Sequence, residues 1–187
     1  MATAVTHFVV GACAALPFCR ARSLEAVVRP WGFVLVSGMI AVIPDADVIL
    51  MPVVPYENFF GHRGFFHSPF FLILVSAALA GMIRVVAQSV TPRAALVMLL
   101  VWSAAGISHP ILDALTDGGL GVMMFFPFNR ERFFFTWRPI EVAPIGVSRA
   151  LAGFVEVFPS EFPFCLAALM LGVGSYLAAA LRRSAAQ

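Results

Sequence analysis

Apolar residues run through this chain in long stretches, and the polar residues collect between them. Five stretches read as membrane helices. The first covers about 5–19 and contains His7 and Pro17. The second, about 31–43, is closed by Pro44 and Asp45. The third and fourth cover about 65–86 and 94–115, and the last, about 162–181, ends in Arg182 and Arg183. Between the fourth and the last, Asp117-Gly118-Gly119 opens a loop. A Phe-Arg mixture with Trp137 follows, of the kind that settles among lipid headgroups. Residues 140–158 carry Glu141, Arg149 and Glu156, too many charges for a lipid-facing span, and are expected to form an interfacial or re-entrant helix. The prediction is an all-α, polytopic membrane bundle of about five transmembrane helices plus that segment. It is read as one membrane domain over 1–187, with a motif-bearing core at about 5–116, a Phe/Arg-rich interfacial segment at about 117–161 and a C-terminal helix at about 162–181.

Composition agrees. Of 187 residues 61% are hydrophobic and only 12% charged, about half the share of a soluble domain. A net charge of +2 gives no reason to expect a nucleic-acid partner. Cys13, Cys19 and Cys165 all lie in apolar stretches without a thiolate metal pattern, and read as packing residues. No basic region precedes the first apolar stretch, so that stretch is expected to be an uncleaved span.

The positive charges, all Arg, orient the bundle. Arg20, Arg22 and Arg29 separate spans one and two, Arg84 and Arg93 flank the turn between spans three and four, and Arg182 and Arg183 follow the last. An alternating path puts these seven on one face, the cytoplasmic one by the positive-inside rule. Arg63, Arg130, Arg132, Arg138 and Arg149 are left on the other. The same path brings His7, Asp45, Asp47, His62, His67, His109 and Asp113 to the outer face, each at or near a span end. Imidazole and carboxylate are ligands for zinc and harder divalent ions, and ionisable groups at membrane depth are costly unless paired or metal-bound. His109 and Asp113 are four apart, on one helix face, although Pro110 between them could instead make His109 a cap. Each cluster also has a plain structural reading. His7 could bond between helices, Asp45-Ala46-Asp47 could end a span, His62 to Ser68 could form a polar turn, and His109 with Asp113 could be a buried pair. No HExxH, GxSxG or phosphate-binding GxxxxGK[ST] motif occurs.

The order of motifs resembles a known family. His7, then Pro44-Asp45-Ala46-Asp47, then Gly61-His62-Arg63-Gly64-Phe65-Phe66-His67-Ser68, then Ser108-His109-Pro110-Ile111-Leu112-Asp113 with Thr116 is similar to the YdjM family of inner-membrane metal-dependent hydrolases. Phe126-Pro127-Phe128 before Arg130 and Arg132 matches that family's aromatic-Pro-Arg stretch. The family is distantly similar to zinc-dependent phospholipases C. The resemblance implies His7, Asp45, His62, His109 and Asp113 as metal ligands, with Asp113 a candidate bridge. The second helix with HxxxHxxxE that completes a three-metal cluster in those enzymes is absent, so one or two divalent ions are expected, zinc first and manganese or iron as alternatives. The activity implied is hydrolysis of a phosphoester in a lipid or lipid-linked substrate, at the outer face of a bacterial-type inner membrane. Asp47 or His67 would accept a proton from an activated water, and Arg63 would clamp the phosphate or else pair with Asp45 or Asp47. Arg130 and Arg132 would steer an anionic headgroup. Two other classes stay open: a non-catalytic metal-binding scaffold or regulator, and a small metal or proton transporter. The apolar mid-span positions 72–80 and 95–101 count against transport.

Overall fold

The structure, a computed structural model, describes residues 1–25, 29–144 and 150–184. Its helices are α1 (Ala4–Ala15), α2 (Arg22–Glu25), α3 (Pro30–Val42), α4 (Pro69–Val86), α5 (Pro92–Ala114) and α6 (Ala150–Ser184), and 3-10 turns cover Ile43–Leu50 and Phe65–His67. Local chemistry sets the starts. Thr3, Ser68 and Thr91 each cap a helix by accepting a backbone N–H through the side-chain oxygen, and proline opens α3, α4 and α5.

Among the described residues, four helical segments are long and apolar enough to cross a membrane: Pro30–Leu50, Pro69–Val86, Pro92–Ala114 and Gly153–Ser184. The first expected span is shorter than predicted. At 12 residues, α1 extends about 18 Å, well under the ~30 Å hydrocarbon core. The helical part of the segment expected to lie at the interface is 150–158, continuous with α6, whereas described residues 140–144 are not helical. Arg149 lies outside the described residues. Pro110 does not begin a helix, because α5 runs through it; His109 is therefore a mid-helix residue and not a cap.

α1 packs against α3, α5 and α6, and α4 packs against α5. The α1–α3 contact is close because Gly11 has no side chain: a Cβ there would stand 2.4 Å from Cβ of Ala41. Below it Phe33, Ile40, Met98 and Trp102 fill an apolar core. That core occupies the half of the bundle leading to Arg20 and Arg183, where the Arg183 guanidinium meets the Arg20 carbonyl. The opposite end is polar inside. Over it folds the Phe/Arg-rich segment, stitched by bridges Thr116–Ile140 and Val122–Phe133.

Candidate metal centre

Four side chains from four places in the chain converge at the polar end. Asp45 comes from the 3-10 extension of α3, His67 from the turn before α4, and His109 and Asp113 from successive turns of α5. One donor atom of each lies within 4.8 Å of the others. His109 Nε2 is 3.5 Å from Asp45 Oδ1 and 3.7 Å from Asp113 Oδ2, and His67 Nε2 is 3.6 and 3.7 Å from the same oxygens. All four atoms are buried and none has a hydrogen-bond partner. Leaving one buried polar atom unsatisfied costs about 1–3 kcal/mol, so four facing each other are suited to sharing one ion. Ligands about 2.0–2.2 Å from one tetrahedral ion lie about 3.3–3.6 Å apart, close to the separations found. Charge points the same way. Among the described residues, the buried carboxylates of Asp45, Asp47 and Asp113 have one buried guanidinium near them, Arg63, which faces Asp113, and the surplus of negative charge is one that a divalent cation would balance.

The imidazoles are oriented for this role. His109 Nδ1–H donates to the Ala41 carbonyl at 2.7 Å, and since a carbonyl only accepts, the lone pair is left on Nε2. His67 Nδ1 lies 3.2 Å from Asp47 Oδ2. Burial disfavours the His67 imidazolium, but the Asp45 and Asp47 carboxylates outweigh it, with help from the charge of Asp113, and hold its pKa up at about 9.

A second group adjoins the first through His67. His62 Nδ1–H donates to Asp47 Oδ1 at 2.7 Å, and His62 Nε2 is buried without a partner. The His62 and His67 rings meet edge to face at 4.9 Å. Asp47, His62 and His67 also have the composition of a three-donor metal group. In this geometry, however, Asp47 already accepts from His62 and backs His67.

The remaining candidates divide. His7 stacks on His109 at 3.7 Å, with Nε2 3.5 Å from Asp113 Oδ1, beside the four-donor group and not within it. Arg63 faces Asp113 rather than Asp45 or Asp47: its Nε is 3.3 Å from Asp113 Oδ2. Its Nη1 and Nη2 donate to Gly118 O and Thr116 Oγ1, so the guanidinium ties the end of α5 to the loop that follows. Arg63 also has φ of 62°, a left-handed conformation uncommon for a side-chain-bearing residue. Arg132 is equally committed, donating to the carbonyls of His62, Gly121, Tyr56 and Asn58. Arg130 is exposed and lies over the Phe59 ring at 5.2 Å, away from the buried donors.

Two participants went unforeseen. The Ala41 carbonyl has no signature in sequence, because any residue supplies one. Glu161 had only a weak signal, a carboxylate immediately before the last apolar stretch. It is fully buried and accepts from Thr3 N, Thr3 Oγ1 and Thr6 Oγ1, pinning α6 to the first turn of α1 one turn from His7.

Comparison with known proteins adds the following. The family described as YdjM inner membrane protein matches residues 1–186. Among curated proteins, the inner membrane protein YbcI of Escherichia coli (strain K12) is 38% identical over 151 residues, covering 80% of this chain and 81% of the relative. No solved structure matches.

Proposed function

The chain belongs to the YdjM inner membrane protein family, and from that premise we propose that it is a membrane-bound metal-dependent hydrolase cleaving a phosphoester in a lipid or lipid-linked substrate. The observation that carries the reading is the set of four facing, buried donor atoms of Asp45, His67, His109 and Asp113, none of which makes a hydrogen bond. Nitrogen and oxygen donors in this number suit zinc, with manganese or iron as alternatives. A divalent ion held there supplies Lewis-acid polarisation of a phosphoryl oxygen and brings the pKa of a water toward neutrality.

The chain's own groups supply the rest. The Asp47–His62 pair is the proton acceptor: Asp47 fixes Nδ1–H and stabilises the imidazolium, while the bare Nε2 takes the proton. Arg63 is a positioning residue that holds Asp113, since its two terminal nitrogens are already hydrogen-bonded. Exposed Arg130 attracts an anionic headgroup. The site faces outward, because Arg20 and Arg183 mark the opposite, cytoplasmic end.

One observation favours a second reading, a metal-binding scaffold without turnover. Four protein donors, all at most 7% exposed, resemble a closed structural site more than a catalytic one with an open position. The experiment that separates the two uses purified protein in lipid nanodiscs, elemental analysis, and a panel of phospholipid and soluble phosphodiester substrates. Metal with turnover, both lost in Asp113→Ala, supports the hydrolase. Metal without turnover supports the scaffold, and full metal content with full activity in Asp113→Ala overturns the four-donor site and the mechanism built on it.

A further inference from the structure

A cavity of about 490 Å³ lies between the start of α1, the end of α3 with its 3-10 extension, and the first turns of α6. Val5, Met39, Val42, Ile43 and Phe154 give it apolar walls, and Asp45 is the one charged side chain among its described lining residues. The Asp45 side chain therefore stands between the cavity and the four-donor group, with both carboxylate oxygens closed off from the cavity. Its Oδ1 faces the four-donor group, and its Oδ2 is buried with no partner. On the α1–α3 side Val5, Met39 and Ile43 are 48%, 60% and 37% exposed. Apolar residues this exposed, on or beside helices of spanning character, meet hydrocarbon when the bundle is in a bilayer. The cavity is thus continuous with the lipid-facing surface at one side and ends on a metal-ligand candidate at the other.

That combination selects its occupant. A water-soluble phosphoester would find an almost wholly apolar lining, in which the Thr3 hydroxyl is already bonded to Glu161. A partner helix, about 10–12 Å across with its side chains, would not reach Asp45 through this space. A hydrocarbon chain fits an apolar chamber that opens on hydrocarbon, and a charged group at its end would arrive beside Asp45. We propose that the cavity takes one hydrocarbon chain of a membrane lipid, entering sideways from the bilayer between α1 and α3, with the adjoining polar ester presented to the Asp45 side of the donor group. The ester's role as substrate rests on the hydrolase reading; the chain site rests on the cavity. A smaller cavity of about 360 Å³ on the other flank of the 3-10 extension, reaching Asp47 past Leu50, Phe66 and Phe71, provides an internal comparison.

The test uses the full chain in nanodiscs containing phosphatidylcholine with a diazirine midway along one acyl chain, followed by photolysis and peptide mapping. Adducts are expected to concentrate on Val42, Ile43 and Phe154. Ala4 lines the cavity yet is exposed, so Ala4→Trp places an indole there without crowding the core and should lower that labelling about tenfold at unchanged metal content. Met39→Trp, also exposed, should do the same and guards against a folding defect in the first variant. Labelling no stronger than on exposed Val85 and Val86, or undiminished in both variants, overturns the proposal. So does labelling centred on Leu50, Phe66 and Phe71. Cavity labelling in a protein that holds no metal and turns over no ester supports the chain site and removes the hydrolase reading. Metal and turnover of a soluble phosphodiester without cavity labelling do the reverse.

Discussion

His109 donates its Nδ1–H to the carbonyl of Ala41 at 2.7 Å, across the α3–α5 contact. That one bond sets the tautomer of a buried imidazole and leaves its Nε2 bare, 3.5 Å from Asp45 Oδ1. Ala41 is also the residue whose Cβ nearly touches Gly11 of α1. The packing of three helices is therefore coupled to the aim of one ligand.

A larger residue at Gly11 should disturb both at once. Gly11→Val is expected to push α1 from α3, cost about 1–3 kcal/mol of stability, and weaken metal binding. Thermal unfolding with and without added zinc checks this. A variant that is destabilised but binds metal with wild-type affinity would show that the Ala41–His109 bond survives the shift.

Removing a direct ligand should act differently. Asp45→Ala, His67→Ala and His109→Ala are each expected to abolish stoichiometric metal. Chelation of the wild-type protein should lower its melting temperature toward theirs, since saturation at 1,000 times Kd is worth about 4 kcal/mol. Elemental analysis beside a melting curve measures it, and metal retained in all three variants would sink the four-donor site.

His62 separates the two roles open to it. His62→Gln should keep its metal and lose turnover by about 10²- to 10⁴-fold, as expected for a general base. Asp47→Asn should do the same and also weaken metal about 10- to 100-fold, because it backs His67. Loss of metal from His62→Gln would make His62 a ligand instead.

Metal affinity should rise with pH. In the metal-free protein the folded-state pKa of His67 is raised from 6.5 to about 9. The bound proton therefore stabilises the metal-free fold fully below about pH 6.5, and that contribution is lost as pH rises through about 9. A metal must displace this proton, so affinity should increase about tenfold per pH unit up to about 9 and then level off. Calorimetry in buffers of different ionisation enthalpy counts the proton released. A flat affinity between pH 6 and 9 would remove His67 from the ligand set.

Much of the bundle was legible from hydropathy alone, because spans must be continuous apolar runs whatever their neighbours. Less legible was α1. Its run of apolar residues continues to Cys19, but the helix stops at Ala15, with Pro17 just beyond, and most of α1 is held by packing against α3, α5 and α6. An interfacial helix ending at 158 and a last span from about 162 were expected as separate segments, yet α6 runs continuously through Pro159 and Pro163. Its early turns are anchored by Glu161 on Thr3 and Thr6, a long-range contact with no local trace.

By itself, the sequence determined which residue types are available and that they gather at one end, since hydropathy dictates spans and charge dictates their alternation. It offered His109 and Asp113 as a pair on one helix face, but Pro110 left a cap at His109 open, and only the continuous α5 decided for the shared face. The tertiary structure alone decided which donors share a point. It moved His67 into the four-donor group, set His7 beside it on the His109 ring, and paired His62 with Asp47. It also committed Arg63 and Arg132 to local partners. Those choices depend on how far the 3-10 extension of α3 and the turn before α4 carry their side chains toward α5. That distance is set by helix packing in three dimensions, which no spacing along the chain encodes.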